Sequence, residues 1–369
     1  MNPYRQDKVL QHLDRVRALC RGEHPAPVHV QLIISDCCNQ ACRTCCYRTD
    51  GYSSNELFFT RDTDGEIVSR NPARFIPLEK VHEILEDCAK MGVKAIEITG
   101  GGEPTVHPQH AEIFQMVRNL WMDLGVVTNG VSMDPQALTP LVTPGGGETW
   151  IRVSIDAGTQ ETYTRVRGCP ATHWDRAWRT VRTLSEAKAK TLRSPLVVGV
   201  SFVVTEDNWR EVVRATELAH EAGADNIRIG GLFQNARTKY YDPFRDPAIA
   251  LCKEASNLST TNFAVVNLFG DRYQDLVQGP PDYHTCGYQR LSTYIGGDLG
   301  LYRCCVQSYN HRGLIGSLKD QRFSEVWAGL AESREYLEFD AHGCAMCQHN
   351  TKNRAIANAI DAQRHGGFV

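Results

Sequence analysis

Short apolar runs rich in β-branched residues alternate along most of this chain with longer stretches in which apolar residues recur at helical spacing. The first helical stretch is Tyr4–Cys20, where Val9, Leu10, Leu13, Val16 and Leu19 share a face; Pro25 and Pro27 end it. His29–Ser35 (HVQLIIS) predicts the first strand. Lys94–Thr99, Gly125–Thr128, Trp150–Ile155, Leu196–Val204 and Asn226–Ile229 predict five more. Leu78–Met91, Pro108–Leu120, Pro135–Val142, Trp174–Lys190 and Trp209–Ala222 read as the helices between them. Six β units joined by helices predict parallel βαβ repeats with right-handed crossovers. Eight would close a full barrel, so six predict an α/β fold built on a partial (β/α)6, TIM-like barrel.

After Gly231 the rhythm breaks. Residues 234–285 show no clean period and carry the turn Gly279–Pro280–Pro281. A hairpin is expected over Leu291–Ile295 and Leu299–Cys305, turning at Gly296–Gly297–Asp298, and Thr351–Ala362 reads as a closing helix. The expected organisation is an N-terminal helix (1–28), the barrel (29–233), a connecting segment (234–285), a small C-terminal subdomain (286–350), and a closing helix and tail (351–369). Arg48–Arg74 is a polar loop of the length typical of lids or disordered segments.

Composition narrows the function. With 42% apolar residues, 22% charged residues and a formal charge of −3, the chain has ample core and no basic excess. A nucleic-acid or anionic-membrane partner is therefore not expected. Met1–Glu23 has no apolar signal core, and no run approaches the ~18 apolar residues of a membrane span, so a cytoplasmic protein is expected. Fourteen cysteines in a reducing compartment point to metal or redox chemistry rather than disulfides. Ten of them form two groups, Cys37, Cys38, Cys42, Cys45 and Cys46, and Cys286, Cys304, Cys305, Cys344 and Cys347; Cys20, Cys88, Cys169 and Cys252 are scattered.

In the first group Cys38, Cys42 and Cys45 have the spacing C-x3-C-x2-C. Three thiolates from one short loop suit three irons of a [4Fe–4S] cube and leave the fourth open, whereas structural zinc requires four closed ligands. The loop follows the first strand, where barrel and open α/β folds place their chemistry. Polar turns follow the next three strands: Thr99-Gly100-Gly101-Gly102-Glu103-Pro104, then Thr128-Asn129-Gly130, then Ser154-Ile155-Asp156-Ala157-Gly158, trailed by Arg165 and Arg167.

This ordered set resembles the radical S-adenosylmethionine (SAM) superfamily over about residues 29–230. The resemblance implies that Cys38, Cys42 and Cys45 hold a [4Fe–4S] cluster whose open iron takes SAM. It implies that Gly101, Gly102 and Glu103 receive the methionyl amine and that Ser154 contacts the ribose or methionyl group. Arg167 is similar to the residue pairing with the SAM carboxylate, with Arg165 as the alternative and Asn129 and Asp156 as further contacts. Many members have an aromatic residue just before the third cysteine; here it is Thr44, and Tyr47 is the substitute candidate beside adenine. Cys37 and Cys46 are expected bystanders.

Cys286, Cys304 or Cys305, Cys344 and Cys347 offer four thiolates, which suit structural zinc or a second, fully ligated [4Fe–4S] cluster. The pattern resembles the SPASM extension, and no cysteine after Cys347 favours its shorter twitch form. Cys286-x13-Gly300-x4-Cys305 follows the extension's spacing, while the ending Leu301-Tyr302-Arg303-Cys304 favours the neighbour. A closed auxiliary cluster suits electron transfer, which implies a two-electron oxidation, with a reductase such as flavodoxin or ferredoxin as partner. Only about 28 residues precede the first strand, which favours a small-molecule substrate such as a sugar or cyclitol over a peptide. A peptide- or protein-modifying enzyme is the alternative, and a non-catalytic metal-binding protein a remoter one. Cys169 is a candidate hydrogen donor to a substrate radical, and His107, His110 and His173 are candidate acid–base groups.

Overall fold

A computed structural model describes residues 6–50, 52–233 and 239–361. Its centre is one ten-stranded sheet. In chain order the strands are β1 (His29–Leu32), β2 (Ala95–Ile98), β3 (Asp123–Thr128), β4 (Thr149–Ser154) and β5 (Leu196–Val204). β6 (Asn226–Gly231), β7 (Ala264–Asn267), β8 (Ser292–Ile295), β9 (Gly300–Tyr302) and β10 (Leu314–Ser317) follow. Their order across the sheet is β10-β9-β8-β1-β2-β3-β4-β5-β6-β7. β1 to β7 pair parallel, β8 pairs parallel to β1, and only the β8–β9–β10 meander is antiparallel.

The expected six parallel strands are all present. β5 (LVVGVSFVV) is a nearly continuous apolar run because both its faces are covered. Helix α1 (Leu78–Met91) buries Val81, Ile84, Leu85 and Cys88 on one stripe and stops at Gly92, whose φ of 76° is the left-handed cap glycine accepts. The N-terminal stretch is less regular: residues 6–11 form a 3-10 turn, the α-helix covers Leu13–Cys20, and Tyr4 lies outside the described residues.

Three elements depart from expectation. Within 234–285, a helix over Arg245–Ser256 leads to β7, which extends the parallel sheet with Asn226 paired to Ala264. Four residues with two valines are too short for a readable period. Helix α2 (Gln160–Arg167) follows β4, its only buried apolar side chains being Tyr163 and Val166. Arg48–Arg74 is no free lid: it folds a small hairpin (Thr60–Arg61 with Ile67–Ser69) and buries Phe58 and Phe59 against Tyr294, Tyr302 and Tyr309.

The C-terminal hairpin turns where expected and extends the same sheet, with His29 of β1 facing Ala95 on one side and Ser292 on the other. The closing helix α3 (Asn350–Asp361) places Ile356 against Val16, Leu19, Val28 and Leu291. Both cysteine groups are thereby attached to one framework. No helix among the described residues is long and apolar enough to cross a membrane.

Candidate active site at the strand ends

The cysteine loop leaves the C-terminal end of β1, and three neighbours lock its path. The glycine loop after β2 is stapled to it: Gly102 N–H donates to Ser35 O at 2.9 Å and Glu103 N–H to Cys37 O at 2.9 Å. A Cβ on Gly102 would stand 2.1 Å from Cys37 O, and one on Gly101 2.4 Å from Asp36 Oδ1, so only glycine permits this approach. On the other side the end of α2 docks, with Ala41 N–H donating to Arg167 O at 3.2 Å and Arg43 N–H to Val166 O at 3.0 Å. From the long loop Asn71 brackets Cys38, its Oδ1 accepting from Cys38 N–H at 3.0 Å and its Nδ2 donating to Cys38 O at 3.1 Å.

Sequence reasoning passed over Arg48 and Gln40. The Arg48 guanidinium reaches Cys45 Sγ at 3.5 Å, Gly101 O at 2.7 Å and Asp36 O at 2.6 Å. One cation thus ties the third cysteine to the glycine loop. Gln40 accepts from Arg167 Nε at 3.1 Å, donates to Tyr163 OH at 3.0 Å, and has Cys42 Sγ 3.9 Å from its Oε1. No local pattern marks either residue, because each finds its partners only in the folded loop.

The strand-end candidates divide by environment. Arg167 is buried, donating from Nη1 to Asp156 Oδ2 at 2.7 Å and from Nη2 to Ser154 O at 2.9 Å. With Nε on Gln40, two of its five N–H donors remain for a ligand. Arg165 turns the other way, to Asp207 O at 3.1 Å and Thr162 Oγ1 at 3.2 Å, so Arg167 is the arginine brought to the cysteine loop. Asp156 has a φ of 58° and accepts from Val203 N–H at 2.8 Å, a brace between β4 and β5. Ser154 Oγ lies 3.4 Å from Ser201 Oγ. Glu103 Oε1 accepts from Thr105 N–H and from the hydroxyls of Thr105 and Thr128, while Oε2 accepts Asn129 N–H at 2.6 Å. Oε2 keeps acceptor capacity for a cation. The Asn129 side chain donates to Asn39 Oδ1 at 2.6 Å, linking the third strand end to the cysteine loop.

Two expectations are corrected, for Tyr47 and for His107 and His110, and the other two candidates are located. Tyr47 is not beside an open site: its ring packs 5.4 Å from Phe58 and 5.7 Å from Tyr309, and its hydroxyl meets Tyr294 OH at 3.0 Å. His107 and His110 are structural, both rings spending both nitrogens on backbone groups: Ile76 O and Gln109 N–H for His107, His107 O and Asp134 N–H for His110. His173 sits half-buried in the first turn of the helix Thr172–Lys190. Cys169 is buried among core side chains with Gln40 Nε2 at 3.8 Å, and burial pushes its thiol up to about 11.

The second group surrounds a pocket under the C-terminal meander, lined by Cys286, Cys304, Cys344 and Cys347. Cys305 is not among its lining residues; its sulfur lies 3.6 Å from His349 Nε2 and it packs against the cluster of Phe58, Tyr294 and Tyr309. Of the two neighbours, Cys304 is the one that lines the pocket. Cys347 Sγ lies 3.1 Å from Tyr283 OH, 3.2 Å from His349 N and 3.8 Å from Asn353 Nδ2. Three donors around one sulfur suit a thiolate, and hydrogen bonds to cluster sulfurs tune iron–sulfur potentials.

Three thiolates in the first group and four in the second fit the ligand sets of an open and a fully ligated [4Fe–4S] cluster. Burial raises Cys38 and Cys286 to about 12 and Cys344 to about 11, and raises Cys42 and Cys304 as well. Thiols so placed ionise against a positive centre, which bound iron provides.

An open iron–sulfur loop at the rim of a parallel sheet, faced by a glycine-rich loop and a buried arginine, defines the radical SAM class. Residues 32–219 match the radical SAM superfamily, and the chain belongs to it. Members bind a [4Fe–4S] cluster and SAM. The chain is 26% identical over 274 residues to the mycofactocin maturase of Mycobacterium tuberculosis, covering 72% of this chain and 66% of that relative. It is 27% identical over 159 residues to the PqqA peptide cyclase of Gluconobacter oxydans, covering 43% of this chain and 39% of the cyclase. Among solved structures it resembles Streptococcus suis SuiB bound to precursor peptide SuiA, with a TM-score of 0.61, 13% identity, and coverage of 91% of this chain and 71% of SuiB.

Proposed function

We propose that this chain is a peptide-modifying radical SAM enzyme with an auxiliary cluster, in which Cys38, Cys42 and Cys45 hold the SAM-binding cluster and Cys286, Cys304, Cys344 and Cys347 the second. The observation that carries the radical SAM site is the stapling of the cysteine loop to the glycine loop by Arg48 and by paired backbone bonds. Similarity to the PqqA peptide cyclase, together with a fold shared with peptide-bound SuiB, supports a peptide over the sugar or cyclitol favoured by the short N-terminal segment.

When bound, the cluster and SAM supply one-electron cleavage of a C–S bond and a carbon radical that takes a hydrogen atom from substrate. The chain's own residues hold the parts in register. Arg48 keeps Cys45 and the Gly101 carbonyl together, Glu103 Oε2 would hold an ammonium group, and the two remaining Arg167 donors would take a carboxylate. Tyr283 and Asn353 hold the sulfur of Cys347.

Anaerobic reconstitution is expected to give about eight iron atoms per chain, and dithionite with SAM to release 5′-deoxyadenosine. A precursor peptide added to that mixture is expected to accelerate the release and to change in mass. A chain that cleaves SAM but converts a sugar alcohol and no peptide sinks the peptide assignment. Cys304→Ala is expected to lose about four iron atoms per chain and Cys305→Ala to keep them. The reverse result would move the fourth ligand to Cys305.

A further inference from the structure

Outside both cysteine groups, His284, Asp340 and His342 bring one donor atom each to within 4.8 Å of the others. His342 Nδ1 lies 2.9 Å from His284 Nδ1, His284 Nδ1 3.2 Å from Asp340 Oδ1, and His342 Nδ1 3.3 Å from that same oxygen. Nitrogen and oxygen ligands about 2.0–2.2 Å from a zinc ion stand roughly 3.0–3.5 Å apart. The three atoms therefore already outline one face of a coordination sphere. The two rings cross at 79°, so each presents Nδ1 to the same point from its own direction.

We propose that His284, Asp340 and His342 bind one zinc-type divalent transition-metal ion through two imidazole nitrogens and one carboxylate oxygen, with water completing the sphere. Two nitrogens and an oxygen are borderline donors, suited to zinc and its neighbours and poorly to calcium or magnesium. Both Nδ1 atoms must face the ion with lone pairs, so the N–H of each neutral ring sits on Nε2, and the ring that carried its proton on Nδ1 changes tautomer with no net proton lost.

The backbone prepares this face. Ala341 N–H donates to His284 O at 2.7 Å, Arg312 Nη2 to Asp340 O at 2.7 Å, and Thr285 bridges Asp340 in antiparallel fashion. Asp340 Oδ1 also takes His342 N–H at 3.0 Å, which fixes the carboxylate between the rings. His284 lies two residues before Cys286, and His342 two residues before Cys344. A bound ion joins the two segments that deliver these cysteines and acts as a clamp at the mouth of the auxiliary pocket. The His284 side chain is 78% exposed, so the ion has free access from solvent.

The test uses reconstituted protein with both cysteine groups filled by iron, so that free thiolates do not compete. Zinc chloride alone is added, excess is removed by gel filtration, and bound metal is measured by mass spectrometry and zinc-edge X-ray absorption. The wild-type chain is expected to retain one zinc with a nitrogen and oxygen shell near 2.0–2.1 Å. The His284→Asn/His342→Asn variant is expected to lose it at unchanged iron content. Uptake equal in variant and wild type, no uptake by wild type, or sulfur scattering near 2.3 Å overturns the site. If the double variant loses iron, the single His284→Gln variant, altered at the more exposed ring, decides by the same readouts.

Discussion

Alanine at position 102 is expected to cut 5′-deoxyadenosine formation by about 100-fold or more, although it adds only one methyl group. The new Cβ would stand 2.1 Å from Cys37 O and 2.5 Å from the Asp36 carbonyl carbon, both backbone atoms that no rotamer change moves. Relief requires the glycine loop to withdraw from the cysteine loop by roughly 1 Å, and displacement on that scale is costly where reacting groups must meet. Withdrawal also stretches the bonds from Gly102 N–H to Ser35 O and from Glu103 N–H to Cys37 O, both 2.9 Å in the native chain. Glu103 then shifts relative to the cluster loop. Iron content should stay near that of the wild type, because the cysteines themselves are untouched. Gly329→Ala is the control: a Cβ there meets nothing within 4 Å, and the variant should behave as wild type. The reading is lost if Gly102→Ala cleaves SAM at the native rate.

Much of this framework is written in local pattern. β5 announces itself by apolar continuity and α1 by the stripe Val81, Ile84, Leu85 and Cys88. The cysteine and glycine motifs are legible because chemistry demands particular residue types at short spacing. Local pattern fails where an element is short or its partners are distant. β7 is four residues whose strand identity comes from pairing with β6. Helix α2 has little apolar signal, yet its caps were readable in principle: Thr159 accepts from Thr162 N–H at 3.3 Å, and Gly168 has a φ of 56°. Arg48, Gln40 and Tyr283 had no such signal, since their partners include Gly101, Tyr163 and Cys347, which lie 53, 123 and 64 positions away. Tyr47 shows the opposite failure. An aromatic residue close to the third cysteine suggests a ligand contact, whereas its ring packs against Phe58 and Tyr309.

Removing the Arg167 guanidinium is expected to destabilise the fold by about 3–5 kcal/mol, because it strands a buried carboxylate. In the native chain Arg167 and Asp156 side chains are 10% and 9% exposed and meet at 2.7 Å. Arg167→Met leaves Asp156 with Val203 N–H as a donor and only the smaller influence of Arg152 and Arg228 as countercharge. Burial raises the Asp156 carboxyl above its ordinary value, and Arg167 is the largest opposing influence, so the substitution raises it further. The sign of the pH dependence follows. A carboxyl whose folded pKa lies above its unfolded one favours folding when protonated, so the variant's deficit should shrink as pH falls from 8 toward 5. Asp156→Asn is the compensating change. It removes the charge, keeps an acceptor for Val203 N–H, and asparagine tolerates the φ of 58° at this position. The double variant Asp156→Asn/Arg167→Met should therefore recover most of the lost stability, and a double-mutant cycle of urea midpoints should give a clear coupling energy. It should not recover SAM binding if the two free guanidinium donors face the carboxylate of the cosubstrate. Stability and SAM affinity restored together would assign Arg167 a purely structural role. A deficit that the Asp156 change leaves unaltered would show that the pair is not what holds this corner of the sheet.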